Sequence, residues 1–309
     1  MRFQNALVTG GAGFIGSHLC EALVQRGVRT RALDNLSMGR RENLPAGVEL
    51  LEGDVLDPKL LRQAMEGSDA VFHLAARVSI RASATEFVED ARTNVMGTLG
   101  VLRGAAEMKV RKVVFASSMA VYGEAEYSPQ DENHPARPIS PYGVGKLASE
   151  QYCLLISRLA GFDAVALRYF NTYGTRQTLT PYVGVITIFV HRLLSGERPI
   201  VFGDGEQVRD FVHVGDVAEA TVRAMESQAS GVVINLGTGQ GTSVGRLAEI
   251  LVQKLDPSLP PAYGPPPPGE ARQSVADTRR CRNLLGFVPP ARLEEKLDEV
   301  IEFLRIGRI

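Results

Sequence analysis

The segment Val8-Thr9-Gly10-Gly11-Ala12-Gly13-Phe14-Ile15-Gly16 separates a short apolar run from a longer amphipathic stretch near the start of the chain. Its glycines satisfy two spacings, GxGxxG through Gly11, Gly13 and Gly16 and GxxGxxG through Gly10, Gly13 and Gly16. Glycines allow a tight turn and a close approach to a pyrophosphate, and the N-terminus of the following helix attracts the anion. A glycine pattern alone is weak evidence, but its position at the first strand–helix junction predicts a dinucleotide-binding turn.

The rest of the first half alternates short apolar runs with longer amphipathic stretches. The predicted strands are Ala6–Thr9, Arg29–Leu33, Val48–Glu52, Ala70–Leu74, Lys112–Ala116 and Ala164–Arg168. The predicted helices between them include Ser17–Gln25, Pro58–Met65, Phe87–Glu107 and Tyr142–Leu159. This alternation indicates βαβ units and a parallel sheet, and the continuous apolar strands suit a sheet covered on both faces.

The pattern changes after about Arg168, where turn-rich segments begin. They are followed by a predicted strand at Val232–Leu236 and predicted helices at Val244–Leu255 and Leu293–Leu304. Seven of the 17 prolines lie between positions 257 and 268, which favours a polyproline spacer or surface loop over a partner-docking motif.

The composition excludes several classes of protein. The chain has 309 residues, 44 % hydrophobic and 22 % charged, which is ordinary for a globular protein and excludes a disordered or fibrous one. With 34 basic against 35 acidic residues, the net charge is −1, so we expect neither nucleic acid nor a membrane surface as partner. The N-terminus leads directly into the first predicted strand, so we expect a cytoplasmic protein without a signal peptide.

The cysteines and histidines point to no metal. Cys20, Cys153 and Cys281 are odd in number and far apart, so we expect buried, reduced thiols. The five histidines show no HExxH or other paired spacing.

Asp34 follows the second predicted strand, 18 residues after Gly16. A carboxylate there can accept hydrogen bonds from both hydroxyls of an adenosine ribose, and it repels a 2′-phosphate. The alternative is a turn or cap residue before Asn35. Arg40 and Arg41 are near, but no base directly follows Asp34, so NAD is predicted over NADP.

Tyr142 and Lys146 are four residues apart on a predicted helix and therefore share one face. This spacing alone is common. A second motif supports it, since the predicted strand that begins at Lys112 runs into Ser117 and Ser118. Ligands of parallel sheets bind beyond the carboxyl ends of the strands, which is where these serines lie. We expect both serines to face the cofactor crevice, with turn capping as the alternative.

In this order, the motifs resemble the extended short-chain dehydrogenase/reductases, specifically their nucleotide-sugar epimerase/dehydratase branch. The resemblance runs from the first strand to about Leu304. Besides the motifs above, it rests on His73-Leu74-Ala75-Ala76, Arg168-Tyr169-Phe170-Asn171 and Gly203-Asp204-Gly205…Arg209-Asp210-Phe211. It implies a Rossmann-like doubly wound parallel sheet with a smaller C-terminal α/β substrate-binding region. The implied NAD-binding domain covers 1–168 and about 208–237, and the nucleotide-sugar-binding region covers 169–207 and 238–309.

The resemblance also implies the roles of the catalytic residues. Tyr142 is the acid/base, Lys146 holds the nicotinamide ribose and lowers the tyrosine pKa, and Ser118 contacts the reacting hydroxyl. A tyrosine with a pKa near 10 needs nearby positive charge to act as a base at neutral pH, which Lys146 and the oxidised nicotinamide supply. The implied cofactor-binding set is Gly10, Gly13, Phe14, Ile15, Gly16, Asp34, Asn35, Asp54, Val55, Leu74, Ala75, Ala76, Tyr142 and Lys146.

Asp54 ends the third predicted strand, where it touches the adenine edge or is an ordinary turn residue.

The residues after Ser118 predict the reaction. Dehydratases of this branch carry an Asp-Glu pair there and UDP-glucuronate decarboxylases an acidic residue, whereas this chain has Met119-Ala120. Without that acid/base, the implied reaction is inversion of C4 of a UDP-hexose through a 4-keto intermediate, with NAD regenerated in each cycle. The alternatives are another nucleotide-sugar epimerase or reductase and a non-catalytic dinucleotide-binding regulator. Retention of the catalytic residues counts against the regulator.

For the substrate, the resemblance implies contacts by Asn171, Phe202 and Arg209 to the diphosphate and nucleotide. Relatives often have Arg-x-Gly-(Asp/Glu) where this chain has Pro267-Pro268-Gly269-Glu270, so we expect Arg272 to replace the missing arginine. Ser79 and Arg81 line the sugar pocket or belong to loop structure.

Ser274 lies three residues before Asp277, where relatives restricted to UDP-glucose and UDP-galactose tend to have tyrosine. A small residue there leaves room for an N-acetyl group, so UDP-GlcNAc and UDP-GalNAc are expected substrates, unless neighbouring residues fill the space.

Relatives also pair the helices equivalent to Phe87–Glu107 and Tyr142–Leu159 across a two-fold axis, which implies a homodimer.

Overall fold

The computed structural model describes residues 3–180, 184–265 and 271–307. Residues 266–270, which hold most of the predicted proline run and the Pro-Pro-Gly-Glu departure, lie outside this part of the chain. The strands are β1 (Asn5–Thr9), β2 (Arg29–Asp34), β3 (Glu49–Glu52), β4 (Ala70–His73), β5 (Lys112–Ser118), β6 (Asp163–Tyr169), β7 (Asn171–Tyr173), β8 (Ile200–Phe202), β9 (Val208–Arg209), β10 (Phe211–His213), β11 (Val232–Leu236), β12 (Thr242–Ser243), β13 (Ala262–Gly264) and β14 (Gln273–Ser274).

The α-helices alternate with these strands. They are α1 (Phe14–Gln25), α2 (Pro58–Met65), α3 (Ile80–Ser83), α4 (Phe87–Ala91), α5 (Gly97–Glu107), α6 (Pro141–Ala160), α7 (Val185–Leu194), α8 (Val214–Glu226), α9 (Val244–Leu255), α10 (Arg279–Leu285) and α11 (Leu293–Arg305). Short 3₁₀ turns cover Arg41–Asn43 and Met119–Val121, and a π-helical segment, Arg92–Met96, joins α4 to α5.

Seven parallel strands form the central sheet in the order β3-β2-β1-β4-β5-β6-β11. Strands β2 and β3 lie on one side of β1, and β4, β5, β6 and β11 lie on the other, so the strand order reverses between β1 and β4. In open α/β sheets this reversal point, at the carboxyl ends of the strands, is where ligands bind. The predicted Rossmann-like, doubly wound sheet is confirmed.

Apolar clusters cover both faces of this sheet. One contains Leu19, Phe72 and Val217 and is covered by α1 and α8, whereas the other contains Leu61 and Phe115 and is covered by α2, α5 and α6. Strands buried on both faces have continuous apolar sequences, which explains why short runs such as that of β4 predicted the sheet correctly.

A third apolar cluster lies in the C-terminal part of the chain. It joins α7, α9 and α11 through residues such as Phe189, Leu251 and Leu297. The short strand β8 pairs with β13, and β9 pairs with β12 on one side and with β14 on the other. The domain boundaries given above remain a proposal.

Local sequence explains where α6 begins and ends. The Ser140 hydroxyl accepts a hydrogen bond from the Gly143 amide at 3.1 Å, Pro141 occupies the first helical position, and Gly161 ends the helix in the left-handed conformation. The predicted range Tyr142–Leu159 is therefore confirmed to within one residue at each end.

Two helix predictions were wrong in detail. Helix α1 begins at Phe14 rather than Ser17, because Gly13 has the extended conformation of an N-cap. The predicted continuous helix over Phe87–Glu107 is interrupted by the π-helical segment, a feature that is frequent near functional sites. Helices α7 and α8 were not predicted.

Two further findings concern cysteines and membranes. Cys20, Cys153 and Cys281 are buried and unpaired, as expected. Within the described ranges, no helix combines the length and the apolar character that crossing a membrane requires.

Candidate active site

The glycine turn between β1 and α1 is shaped by close backbone contacts. Gly10 has a φ of 70°, and a Cβ there would lie 2.8 Å from the Ala75 amide nitrogen. A Cβ on Gly16 would lie 2.0 Å from the Gly10 carbonyl oxygen. A Cβ on Gly13 would approach one described atom within 4 Å, the same oxygen at 3.2 Å. Gly10 and Gly16 are thus required by packing, whereas Gly13 leaves the backbone beside Phe14 and Ile15 accessible to a ligand.

Asp34 holds the glycine turn in place. Its Oδ2 accepts a hydrogen bond from the Ala12 amide and its Oδ1 one from the Leu36 amide, both at 2.9 Å. Burial raises the pKa of this carboxyl, although these backbone bonds oppose the rise. The turn interpretation of Asp34 is therefore correct. Contact with the ribose remains a prediction.

The residues predicted on the adenine side bond to one another. The side-chain amide of Asn35 donates to Asp54 Oδ2 at 2.9 Å, and Asp54 Oδ1 accepts from the backbone amide of Leu56 at 2.9 Å. Val55 is buried, and a Cβ on Gly97 would lie 2.9 Å from its side chain. Asp54 is thus at least a turn residue, and Val55 packs against the start of α5.

Leu74, Ala75 and Ala76 follow β4 and border the glycine turn. The Ala75 amide donates to the Thr9 hydroxyl at 3.2 Å. His73 lies between two threonines, with its ring nitrogens 2.7 Å from Thr9 Oγ1 and 3.0 Å from Thr98 Oγ1. Burial, and secondarily the charge of Lys146, lowers the pKa of His73 to about 3, so this ring is a neutral structural link.

The structure brings together Ser118, Tyr142 and Lys146. Ser118 ends β5, where its hydroxyl accepts a hydrogen bond from the Ala120 amide at 3.1 Å, and its side chain acts to lower the pKa of Tyr142 at the start of α6. Lys146, one helical turn later, donates from Nζ to the Ala116 carbonyl at 2.8 Å and lies 5.0 Å from the ring centroid of Phe115. All three side chains are buried at the carboxyl end of β5.

Burial dominates the electrostatics of this triad. It raises the pKa of Tyr142 to about 12, opposed by the Ser118 side chain and reinforced by the charge of Asp90. Burial lowers the pKa of Lys146 to about 8, and Asp90 opposes this change. In the protein without NAD, burial therefore dominates the pKa of Tyr142, and the lowering of that pKa by Lys146 remains a prediction.

Ser117 does not face the crevice, contrary to the expectation. It is buried, and its hydroxyl donates to Glu150 of α6 at 2.8 Å. Glu150 also accepts two hydrogen bonds from Arg168 of β6, at 2.6 and 3.0 Å. This buried network ties the helix that carries Tyr142 to two central strands.

On the substrate side, β14 places Ser274 opposite Arg209 of β9. Ser274 is 2 % exposed, and within the described residues its hydroxyl has no hydrogen-bond partner. The buried side-chain oxygen of Asn171, Oδ1, likewise has no hydrogen-bond partner among the described residues. The backbone amide of Asn171 donates to the carbonyl of Asp210, the residue after Arg209, at 3.0 Å. The structure thus brings Asn171, Arg209 and Ser274 together.

Three other predicted substrate residues have contacts within the protein. The Phe202 ring lies 5.6 Å from the guanidinium carbon of Arg81. Arg272, which we expected to bind phosphate, forms an ion pair with Asp204 at 2.8 Å on the surface. Its guanidinium therefore already has a carboxylate partner within the protein. Ser79 caps α3 by accepting from the Ala82 amide at 3.0 Å, which favours the loop-structure alternative.

Comparison with known sequences identifies the family. The sequence profile of the NAD dependent epimerase/dehydratase family matches residues 6–237, a range that contains the glycine turn and the triad. The chain belongs to this family. A member of the NAD-dependent epimerase/dehydratase family is an enzyme that uses NAD, so the predicted family and cofactor are confirmed.

The similar proteins catalyse more than one reaction. Over 301 residues the chain is 39 % identical to a putative UDP-glucose 4-epimerase of Methanocaldococcus jannaschii, covering 97 % of this chain and 98 % of that one. It is 33 % identical to a UDP-N-acetyl-alpha-D-glucosaminuronate decarboxylase of Bacillus cytotoxicus, covering 98 % of both. The relatives therefore support a nucleotide-sugar enzyme without deciding among reactions.

Two solved structures are similar over nearly their whole length. The UDP-glucose 4-epimerase of Thermotoga maritima with UDP-glucose has a TM-score of 0.95 at 39 % identity, covering 99 % of this chain and 100 % of that one. The UDP-N-acetylglucosamine 4-epimerase of Methanobrevibacter ruminantium, in complex with UDP-N-acetylmuramic acid, has a TM-score of 0.94 at 36 % identity, covering 100 % of both.

Sequence reasoning missed two buried acidic residues of the site, Asp90 and Glu150. Both lie on helices, where a charged residue is normally assigned to the solvent side. The available signal for Glu150 was its spacing, because it follows Lys146 by one helical turn and so shares the face of Tyr142.

Proposed function

We propose that the enzyme inverts C4 of a UDP-hexose, interconverting UDP-glucose and UDP-galactose through a 4-keto sugar. The observation that carries the proposal is the triad of Ser118, Tyr142 and Lys146 followed by a 3₁₀ turn, Met119–Val121, without a carboxylate. The decarboxylases and dehydratases of the family require a further acid/base at this position, according to the resemblance. Reversible oxidation at a single carbon requires none.

NAD fits the residues present, since the open glycine turn would hold its pyrophosphate and the Asp34 carboxylate its ribose. Bound NAD supplies the hydride acceptor and, through its charged ring, favours the tyrosine phenolate. Tyr142 then accepts the proton of the C4 hydroxyl and returns it after the keto sugar has turned over. Ser118 contacts that hydroxyl and orients it toward Tyr142. The Lys146 ammonium keeps the phenolate accessible at neutral pH.

The test is a product analysis with four UDP-sugars. Purified enzyme is incubated separately with UDP-glucose, UDP-galactose, UDP-glucuronate and UDP-N-acetylglucosamine, and products are separated by anion exchange and identified by NMR. We expect UDP-glucose and UDP-galactose to interconvert without net change in NADH. Loss of CO₂ from UDP-glucuronate, loss of water, or stoichiometric NADH consumption would each contradict the proposal.

We further propose that N-acetylated UDP-sugars are substrates. The support is the small, buried Ser274 side chain, whose hydroxyl has no hydrogen-bond partner among the described residues and offers one to an acetamido group. Ser274→Tyr should abolish turnover of UDP-GlcNAc and spare UDP-glucose, because the larger side chain fills the space. Ser274→Ala is the matched control that keeps the space. Equal effects of Ser274→Tyr on both sugars would contradict this assignment.

We also propose a homodimer built on α4 and α6. Apolar side chains on these elements are exposed, among them Phe87, Val88, Val144, Leu155 and Leu159. A groove of about 830 Å³ runs beside Tyr152 and Leu155. Clustered exposed apolar side chains on facing helices are typical of an interface between subunits.

A further inference from the structure

Asp90 is a buried carboxylate on the side of α4 that packs against α6. It is 2 % exposed, and a Cβ on Gly145 would lie 3.4 Å from its Oδ2 and 3.6 Å from Asn94 Cβ. Gly145 lies between Tyr142 and Lys146 in the sequence of α6, so the carboxylate rests against the backbone of the catalytic helix.

The π-helical segment that follows α4 fixes this arrangement. Asn94, one helical turn after Asp90, accepts through its backbone carbonyl a hydrogen bond from the Ser149 hydroxyl of α6 at 2.8 Å. Asn94 also exchanges two hydrogen bonds with the backbone of residue 77, at 2.9 and 3.0 Å. Asp90 is therefore held at a defined place beside the triad.

The charged and titratable groups around Asp90 come from three elements. Tyr142 and Lys146 lie on α6 on either side of Gly145, and Arg77, which is paired with Glu86, lies on the segment after β4 whose backbone bonds to Asn94. His73 of β4 faces Lys146 but stays neutral. The charge of Asp90 acts on both members of the catalytic pair, since it raises the pKa of Tyr142 and that of Lys146.

We propose that Asp90 is a positioning residue that sets the pH range of catalysis by placing a buried negative charge against the turn of α6 that carries Tyr142 and Lys146. This inference rests on the proposed function for the roles of Tyr142 and Lys146. Asp90 keeps the lysine protonated in an apolar environment, which would otherwise favour the neutral amine. It also delays formation of the Tyr142 phenolate, so the base is generated mainly when the positively charged nicotinamide is bound.

The proposal predicts how a neutral replacement changes the pH profile. Asp90→Asn lowers the pKa of both Tyr142 and Lys146, so both limbs of the kcat profile move to lower pH. For a change of about one pH unit in a lysine of pKa about 8, the ammonium fraction at pH 8.5 falls about eightfold. Activity therefore falls on the alkaline side and rises on the acid side, and the two profiles cross. A purely structural defect would lower activity at every pH.

The experiment compares the holoenzyme with Asp90→Asn and with the matched control Glu89→Gln. Glu89 lies on the same helix but is exposed, 3.9 Å from Arg92, so its removal should leave the profile unchanged. Crossing profiles for Asp90→Asn alone support the proposal. Parallel loss at all pH values, or no shift, overturns it.

A second readout does not depend on turnover. The ultraviolet absorbance of tyrosinate is titrated in the NAD-bound protein and in its Tyr142→Phe variant, with and without Asp90→Asn, so that each difference isolates Tyr142. We expect the Tyr142 midpoint to fall by about one pH unit in Asp90→Asn. If wild type converts no UDP-sugar, the proposed function fails and this titration alone decides the role of Asp90.

Two further variants keep the proposal testable if Asp90→Asn does not fold. Asp90→Glu keeps the charge and should retain the wild-type midpoint, whereas Asp90→Gln should show the shift. If Asp90→Glu folds but neither neutral variant does, Asp90 is required for folding rather than for the pH range, and the proposal is overturned.

Discussion

Glu150→Gln should destabilise the protein strongly, because it removes the charge partner of a buried arginine. The Glu150 and Arg168 side chains are 0 % and 5 % exposed, and three hydrogen bonds converge on the Glu150 carboxylate. The Nη1 of Arg168 has no partner among the described residues, so no other group takes over the charge. The ring of Tyr122 lies 4.6 Å from the guanidinium carbon and offers a weak substitute.

The expected loss is about 3–5 kcal/mol of unfolding free energy, the usual cost of leaving one buried charge unpaired. Domains have about 5–15 kcal/mol in total, so a large part of the stability is at risk. Urea unfolding followed by circular dichroism measures this change. The matched control is Glu219→Gln, which breaks partly exposed pairs with Arg26 and Arg223 and should cost about 0.2–1 kcal/mol.

A double variant tests the reasoning itself. Glu150→Gln combined with Arg168→Met removes both charges, so it should recover part of the stability lost in the single variant. Equal losses for Glu150→Gln and Glu219→Gln would refute the buried-charge argument. A double variant less stable than Glu150→Gln would show that packing of the Arg168 side chain matters more than its charge.

The remaining predictions concern chemistry, cofactor and assembly. Tyr142→Phe should retain NAD but lower kcat by about 10²–10⁴, as measured by product formation, and full activity would remove Tyr142 from the mechanism. NAD should bind at least about tenfold more tightly than NADP, about 1.4 kcal/mol by calorimetry of the apoprotein, because Asp34 repels a 2′-phosphate; equal affinities would refute this. Light scattering at micromolar concentration should give a dimer, and Leu155→Glu should give monomers while the exposed control Leu284→Glu does not.

The sequence predicted the central sheet well because its strands are buried on both faces. An apolar run such as that of β4 leaves few alternatives when amphipathic stretches flank it. The strands of the C-terminal part have two or three residues each, for instance β9 and β14, and show no period that could be recognised. Helix α8 was missed because its buried face includes small and polar residues, among them Ala220 and Thr221.

Side-chain roles were harder to predict than elements. Ser117 and Ser118 are adjacent hydroxyl residues at one strand end, yet Ser117 bonds to Glu150 in the interior whereas Ser118 accepts from the Ala120 amide at the end of the strand. Successive residues of a strand point to opposite sides, so only one of two neighbours can face a given group. The pKa values of Tyr142 and Lys146 depend on burial and on Asp90, and neither can be read from the spacing of the motif.

The two sides of the site differ in how their polar groups are satisfied. On the cofactor side, Asp34, His73 and Lys146 all bond to protein atoms, so this side is organised before any ligand binds. On the substrate side, Ser274 Oγ and Asn171 Oδ1 are buried without partners in the described chain. An unpaired buried polar atom costs about 1–3 kcal/mol, and a ligand that pairs with it recovers this free energy. If Ser274 and Asn171 line the substrate site, as proposed, we expect a sugar nucleotide with polar groups at these two atoms to be favoured over one without them, and we expect discrimination among substrates to arise on the side that is not fully paired.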